Sequence, residues 1–419
     1  MHIVAIGGSD AGISAALRIR EVDPGAEVTV VAADAYPNFS ICGIPYYVSG
    51  EVTHWRNLAH RTVADLEATG MTLRLDTPAQ RIDVPGRKLL VTGPAGTEDV
   101  ISYDELIVGT GAVPVRPPIA GLDALGPADG VHLLHSMHDT FAIMRTLEDA
   151  APASAVIVGA GYIGLEMAEA LAARGLAVTQ VEQLPQVLPT VDPQLGALVR
   201  AQLEGHGVRV LTGTAVNAIA RAEAGGPAPL RVQAVTAASG PVTVHAGMVL
   251  VVTGVRPETS LAVSAGASLG PRGAIAVDRA MRTGVPGVYA AGDCVITHHR
   301  LLGETYLPLG TTAHKQGRIA GENAVGRGHR EFAGSLGTQV VKIFDHAAAR
   351  TGRLLGVQLF GHRHAEIAKR IDIAATAIFH GMTIDEVSDL DLSYTPPLGS
   401  PWDAIQMGAQ AWASRALRR

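Results

Sequence analysis

One stretch restricts the fold of this chain more than any other: Ala155-Val156-Ile157-Val158 runs straight into Gly159-Ala160-Gly161-Tyr162-Ile163-Gly164. An apolar strand, a turn with three glycines and an Ala/Leu-rich helical stretch from Leu165 to Leu171 form the opening of a βαβ unit. Each glycine has a use in such a unit. Gly159 makes the tight turn, Gly161 lets backbone approach a pyrophosphate, and Gly164 lets the helix lie close on its strand. The next strand, Ala177 to Val181, ends in Glu182, eighteen residues after Gly164. That is near the offset at which a carboxylate accepts from a ribose 2′-hydroxyl. Glu182 would repel a 2′-phosphate and no arginine directly follows it, so NADH is favoured over NADPH.

A second turn of this type opens the chain. His2 to Ile6 reads as a buried strand, Gly7-Gly8-Ser9-Asp10-Ala11-Gly12 as the turn, and the residues through Arg20 as a helix, with a second strand at Glu27 to Val31. Ser9 replaces the middle glycine. The acid expected after the second strand is missing, because Ala32 stands there and Asp34 is the nearest candidate. Either Asp34 reaches a ribose or main chain and water take its place. Two later segments echo each other: Tyr103 to Pro114 and Met248 to Pro257 are both strands that leave through a small-residue turn. The repetition points to two related nucleotide domains.

The chain has 419 residues, enough for two or three domains, and only two cysteines, too few for a disulfide framework. Cys42 lies in Asn38-Phe39-Ser40-Ile41-Cys42-Gly43-Ile44-Pro45-Tyr46-Tyr47, with Tyr47 where a second cysteine would complete a C-x4-C pair. Gly43 and Pro45 read as the opening of a helix, where unpaired N–H groups and the helix dipole favour a thiolate. This suggests a redox cysteine working against a flavin with no internal partner. The alternative is a cysteine packed as a small hydrophobe, which is how Cys294 reads. A net charge of −6 gives no reason to expect nucleic acid or an anionic membrane as partner, and no apolar run reaches membrane-spanning length. The 16 histidines form no ligand motif such as H-E-x-x-H, so no metal site is expected. Met1 to Ile6 begins a strand at once, without a basic n-region or cleavage site, and a cytoplasmic protein is expected.

Taken in order, Ser40-Ile41-Cys42-Gly43-Ile44-Pro45-Tyr46, Thr110-Gly111-Ala112-Val113-Pro114, Ala291-Gly292-Asp293 and Pro308 to Arg318 carry a resemblance that spans the whole chain. It resembles the pyridine nucleotide-disulfide oxidoreductases, and more narrowly their single-cysteine branch: coenzyme A-disulfide reductases, NADH oxidases, NADH peroxidases and NADH-dependent persulfide reductases. The resemblance implies an α/β fold with two Rossmann-like three-layer nucleotide-binding domains, the second inserted in the first. It assigns residues 1–112 and 255–327 to a discontinuous FAD-binding domain and 113–254 to an NAD(P)H-binding domain. Residues 328–419 then form a shortened C-terminal α+β domain that makes a homodimer. Gly7, Gly12, Gly111 and Asp293 would hold FAD, with Asp34 the candidate for its ribose. Thr311 and Thr312 would open a helix facing the flavin N1 and O2. Tyr162 would shield the flavin until nicotinamide displaces it, and Glu166 would accept from the carboxamide. Two electrons would pass from NADH through the flavin to a sulfur bond held by Cys42 as mixed disulfide, persulfide or sulfenic acid. The family's H-P-x-x-x-E acid–base pair is absent. Tyr394, in Asp391-Leu392-Ser393-Tyr394-Thr395-Pro396-Pro397, matches a tail motif whose tyrosine reaches the partner subunit's cysteine; it is the candidate proton donor, or else an interface tyrosine.

Three departures bear on the substrate. Asp10 stands where peroxidases and water-forming oxidases carry a histidine; near Cys42 it would raise the thiol pKa, or it simply caps the helix. The first helix offers Arg18 and Arg20 for a nucleotide phosphate, but Glu21 where a base is expected, and Trp402-Asp403 stands where a lysine occurs. A disulfide smaller than that of coenzyme A fits this pattern. Val340 to Gly352 passes directly into Arg353 to Gln358, so the interface sheet is expected to lack strands. The expected activity is NADH-dependent reduction of a small disulfide or persulfide. The alternatives are an NADH oxidase or peroxidase acting on oxygen or peroxide, and a redox-sensing or electron-delivery flavoprotein.

Overall fold

The computed structural model describes residues 1–223, 226, 228–237, 240–326, 329–351, 356–392 and 403–416. Two five-stranded parallel sheets organise residues 1–326. In the first, the strand order is Val288–Ala290, Glu105–Val108, His2–Ile6, Glu27–Val31, Thr72–Arg74. In the second it is Arg209–Leu211, Ala177–Val181, Ser154–Val158, Met248–Val251, Val131–Leu133. Both follow one plan: the strand that feeds the glycine turn lies in the middle, the strand after the helix on one side and the returning strand on the other. Unbroken apolar runs make this arrangement stable. Ile3, Val4, Ala5, Leu106, Ile107 and Val108 have no exposed surface, as central strands covered on both faces require.

Each unit carries a three-stranded antiparallel excursion before its return strand, Ala79–Asp83, Lys88–Thr92 and Glu98–Ser102 in the first, Thr214–Arg221, Leu230–Thr236 and Gly240–Ala246 in the second. The chain leaves the first unit through Ala112–Pro114 and returns through Val255–Pro257, which pair antiparallel. Strand Val288–Ala290 then completes the first sheet, so the second unit is inserted in the first. The described residues beyond 338 form a three-stranded antiparallel sheet of Gln339–Ile343, His346–Thr351 and Val357–His362, with helices Ile367–Phe379, Ile384–Ser388 and Ala404–Ala416.

Four helices frame the region of interest: α1 (Asp10–Val22), α2 (Ile44–Ser49), α3 (Tyr162–Ala173) and α4 (Gly310–Ala324). The glycine turns bring α1 and α3 onto their strands. A Cβ on Gly12 would lie 2.0 Å from the Gly7 carbonyl oxygen, and one on Gly164 would lie 2.2 Å from that of Gly159. No larger residue fits at either point without moving backbone.

Candidate active site

Cys42 lies in the short 3-10 turn Ile41–Gly43, directly ahead of α2. Local contacts fix it there. The Ser40 N–H donates to the Leu58 carbonyl at 2.8 Å and Phe39 bridges Ala59, so the segment before the cysteine is pinned to the loop beyond Trp55. Pro45 sits in the first turn of α2, where its missing N–H is no loss. The thiol is exposed, yet protein crowds around it on most sides. Burial therefore pushes its pKa up, and the carboxylates of Glu166, Asp10 and Asp293 push it further in the same direction. The expectation that the helix opening favours the thiolate is corrected here. A six-residue helix offers little dipole, whereas burial and the charges of three acids from distant segments oppose the thiolate. Cys294 is fully buried, its sulfur near the carbonyls of Val108 (3.6 Å) and Ala291 (3.4 Å).

The first nucleotide turn ends the strand His2–Ile6 and starts α1 at Asp10, with Ser9 as N-cap making no side-chain cap bond. Asp34 follows the next strand, and its Oδ1 accepts from the Tyr36 N–H at 2.9 Å. Gly111 has a left-handed φ of +70° and open space on its Cβ side. Asp293 follows Gly292, whose N–H donates to the buried Gln316 side chain at 3.0 Å. Burial, then the charge of Asp10, push the Asp293 pKa up to about 6, while a hydrogen bond from the Leu309 backbone opposes the rise. Leu309 is also the N-cap of α4 and supplies no side-chain acceptor, so the first N–H groups of α4 form a positive end beside Asp293. Thr311 there is exposed and Thr312 buried.

In the second turn, Gly159 has φ +109° and Gly161 has no atom within 4 Å of where a Cβ would stand, leaving backbone open to an approaching phosphate. Glu182 is buried, and its two oxygens accept from the N–H groups of Ala160 (2.7 Å) and Leu184 (2.9 Å). It thus braces the turn while retaining lone pairs for a hydroxyl. Tyr162 opens α3, and Glu166 follows one turn later on the same face. Glu166 lines a crevice with Tyr46, Glu169 and Lys342, where burial and the charge of Glu169 push its pKa up to about 7.

These residues fit a flavin dinucleotide and a pyridine nucleotide. At Gly7, Gly12, Gly159 and Gly164 the turns leave no room for side chains, at Gly111 and Gly161 they leave open space beside the backbone, and the α4 N-terminus presents unpaired donors. Asn38, whose N–H bonds the Gly8 carbonyl at 2.7 Å, is buried with both side-chain amide atoms lacking a partner, as a residue facing a polar ligand would be. Tyr394 and Trp402 lie outside the described residues. Arg18 and Arg20 are already engaged: Arg18 binds Glu322 and Glu21, and Arg20 donates to the carbonyls of Thr69 and Ala26. Asp403 is buried, paired with Arg370, and accepts from the Ile405 N–H at 2.8 Å. Sequence reasoning missed two pairings. Lys342 joins Glu169 and Glu51 across segments far apart in the chain, and His314 joins Asp10. His314 was visible inside Pro308 to Arg318, but nothing local shows that its ring meets the first helix.

The model of the pyridine nucleotide-disulphide oxidoreductase family matches residues 1–317. The chain is 32% identical to the "NAD(P)H sulfur oxidoreductase (CoA-dependent)" of Pyrococcus furiosus, over 96% of this chain and 97% of that protein. It is 30% identical to an NADH oxidase of Methanocaldococcus jannaschii, over 98% of both. Among solved structures, an NAD-dependent persulfide reductase from A. fulgidus superposes with a TM-score of 0.88 at 34% identity, over 99% of this chain and 84% of that one. The chain belongs to the pyridine nucleotide-disulphide oxidoreductase family. It is an α/β oxidoreductase of Rossmann type, and FAD and a pyridine nucleotide are the cofactors of that family. Among the described residues no helix is long and apolar enough to cross a membrane.

Proposed function

We propose that the chain reduces a low-molecular-weight disulfide or persulfide with electrons from NADH, through FAD and the single thiol of Cys42. The observation that carries this reading is the setting of Cys42: an exposed sulfur just ahead of α2, within the electrostatic reach of Asp10 in the first nucleotide turn and Glu166 one turn into α3, with the only other cysteine fully buried. A thiol without an internal partner must take its second sulfur from the substrate, which gives a mixed disulfide or persulfide. When bound, FAD supplies the two-electron relay between NADH and that sulfur bond.

The remaining steps belong to side chains. Residues 1–112 and 255–327 hold FAD by Gly7, Gly12, Asp34, Gly111, Asp293, Thr311 and Thr312. The α4 N-terminus favours negative charge on the reduced ring. Residues 113–254 hold NADH by Gly159, Gly161 and Gly164, with Glu182 at the ribose and Tyr162 and Glu166 at the nicotinamide. Residues 328–419 build a homodimer interface, to which the exposed Phe379, Met407 and Trp412 lend apolar surface. Tyr394 donates a proton to the departing thiolate. The engagement of Arg18 and Arg20 favours a substrate smaller than a coenzyme A disulfide. A cytoplasmic location suits a reductase of this kind.

Cys42→Ser tests the reading. The variant should bind FAD and accept hydride from NADH, yet lose turnover of small disulfides and persulfides; turnover that survives the loss of the sulfur rules the thiol mechanism out. A second reading is supported by the likeness to an NADH oxidase. In it, Cys42 cycles through sulfenic acid with oxygen or peroxide. NADH-dependent oxygen uptake without added disulfide would select that reading.

A further inference from the structure

Helices α1 and α4 touch at backbone distance: a Cβ on Gly317 would lie 2.2 Å from the Ala11 carbonyl oxygen, and one on Gly321 would lie 2.4 Å from that of Ala15. This contact carries His314 of α4 to Asp10, the first residue of α1. The His314 Nε2 lies 3.2 Å from Asp10 Oδ1, and its Nδ1 lies 2.6 Å from the Ser14 hydroxyl. A carboxylate and a hydroxyl can both accept, so both ring nitrogens are set to hold a proton. The side chains keep 44% and 25% of their surface exposed, so proton exchange with solvent is open. The His60 ring stands 6.4 Å from that of His314, and the His60 N–H bonds the Asn38 carbonyl at 2.9 Å, which ties this cluster to the segment leading into Cys42.

The charged surroundings are mixed. The imidazole faces Asp10 and Ser14 from α1, and His60 and Arg61 from the loop pinned to the cysteine segment. On its own helix, Arg318 is engaged with Glu21 and Lys315 is exposed. The thiol is opposed by Glu166 from α3, Asp10 from α1 and Asp293 from the loop before α4. Asp10 raises the His314 pKa through their hydrogen bond, against burial and Arg61, and raises the Cys42 pKa through its charge. The two effects share one carboxylate.

We propose that His314 is a positioning residue whose protonated ring cancels the charge of Asp10 and so admits the thiolate of Cys42. The proposal rests on the reading of Cys42 as the reacting thiol. With the imidazole protonated, the Asp10–His314 pair is neutral toward the sulfur. Loss of the imidazole proton uncovers an anion that opposes the thiolate. Raising the pH thus ionises the thiol and uncovers Asp10 at once, and thiol reactivity rises over a wider span than one group alone would give.

The test is the alkylation rate of Cys42 by iodoacetamide in the FAD-loaded protein, followed by mass spectrometry across pH. In His314→Gln the rate near pH 6 should fall roughly three- to tenfold, while near pH 9.5, where the parent imidazole carries no charge either, it should match the parent. Asp10→Asn should be faster than the parent near pH 9.5, and at that pH adding His314→Gln to it should change nothing, since the imidazole carries no charge there. An equal slowing at every pH, or a His314→Gln effect near pH 9.5 in either background, would overturn the proposal. If His314→Gln does not fold, the Asp10→Asn profile decides, since an unchanged rate at high pH is fatal. Alkylation reads the thiolate without any disulfide turnover, so this result stands apart from that of Cys42→Ser.

Discussion

Glu166→Gln is the substitution with the most accountable energetics. Glu166 lies in the crevice between α2 and α3, desolvated and beside Glu169, and its carboxyl pKa is pushed from 4.5 up to about 7. An acid whose pKa is higher folded than unfolded stabilises the fold while protonated. That stability is fully present below 4.5 and is lost as pH rises toward about 7. At roughly 1.4 kcal/mol for each pH unit, the ionised carboxylate costs about 3 kcal/mol above that window. Glutamine keeps the shape and removes the charge, but its own buried amide costs roughly 1 kcal/mol. The variant should therefore be about 2 kcal/mol more stable than the parent at pH 8 and no more stable at pH 4.5. Urea unfolding of both proteins across this range gives the parent-minus-variant difference, in which other titrating groups cancel. A difference that does not change with pH, or a variant less stable at pH 8, would refute the account of Glu166 as a desolvated acid.

Two further outcomes follow from named contacts. Glu182→Ala should narrow the ratio of kcat/KM for NADH over NADPH by about tenfold, and should destabilise the turn by roughly 1–3 kcal/mol because the Ala160 and Leu184 N–H groups lose their acceptor; steady-state kinetics with both nucleotides checks it, and an unchanged ratio dismisses the ribose role. Asp403→Ala removes both the partner of Arg370 and the acceptor of the Ile405 N–H, so amide exchange in helix Ala404–Ala416 should accelerate on the order of tenfold or more; unchanged protection there would show that the pair contributes nothing.

The two sheets were readable because their signals are local. A fully apolar strand, glycines spaced for a turn and a small-residue helix sit within thirty residues of one another at each nucleotide turn, and the echo between Tyr103–Pro114 and Met248–Pro257 marks equivalent return strands. The polarity around Cys42 was not readable in the same way. Gly43 and Pro45 announce a helix start correctly, and from that alone a lowered thiol pKa follows. Of the opposing acids, Asp10 was readable from its place in the first turn, whereas Glu166 and Asp293 join it only through the packing of α3 and the α4 loop. The Asp10–His314 pair is hidden for the same reason, since the contact depends on two helices at opposite ends of the first unit touching through Gly317 and Gly321. Arg18 and Arg20 illustrate the converse. Basic residues on an exposed helix suggest a phosphate, but their guanidinium groups are used up by Glu322, Glu21 and two backbone carbonyls.

The paired strands Ala112–Pro114 and Val255–Pro257 have an evolutionary and practical meaning. Because entry and exit run side by side, the gap left by deleting everything between them could be closed by a tight hairpin without disturbing the parent sheet. On the domain roles proposed above, such a doorway would let the pyridine-nucleotide unit be exchanged as one piece while the parent unit keeps its own chemistry.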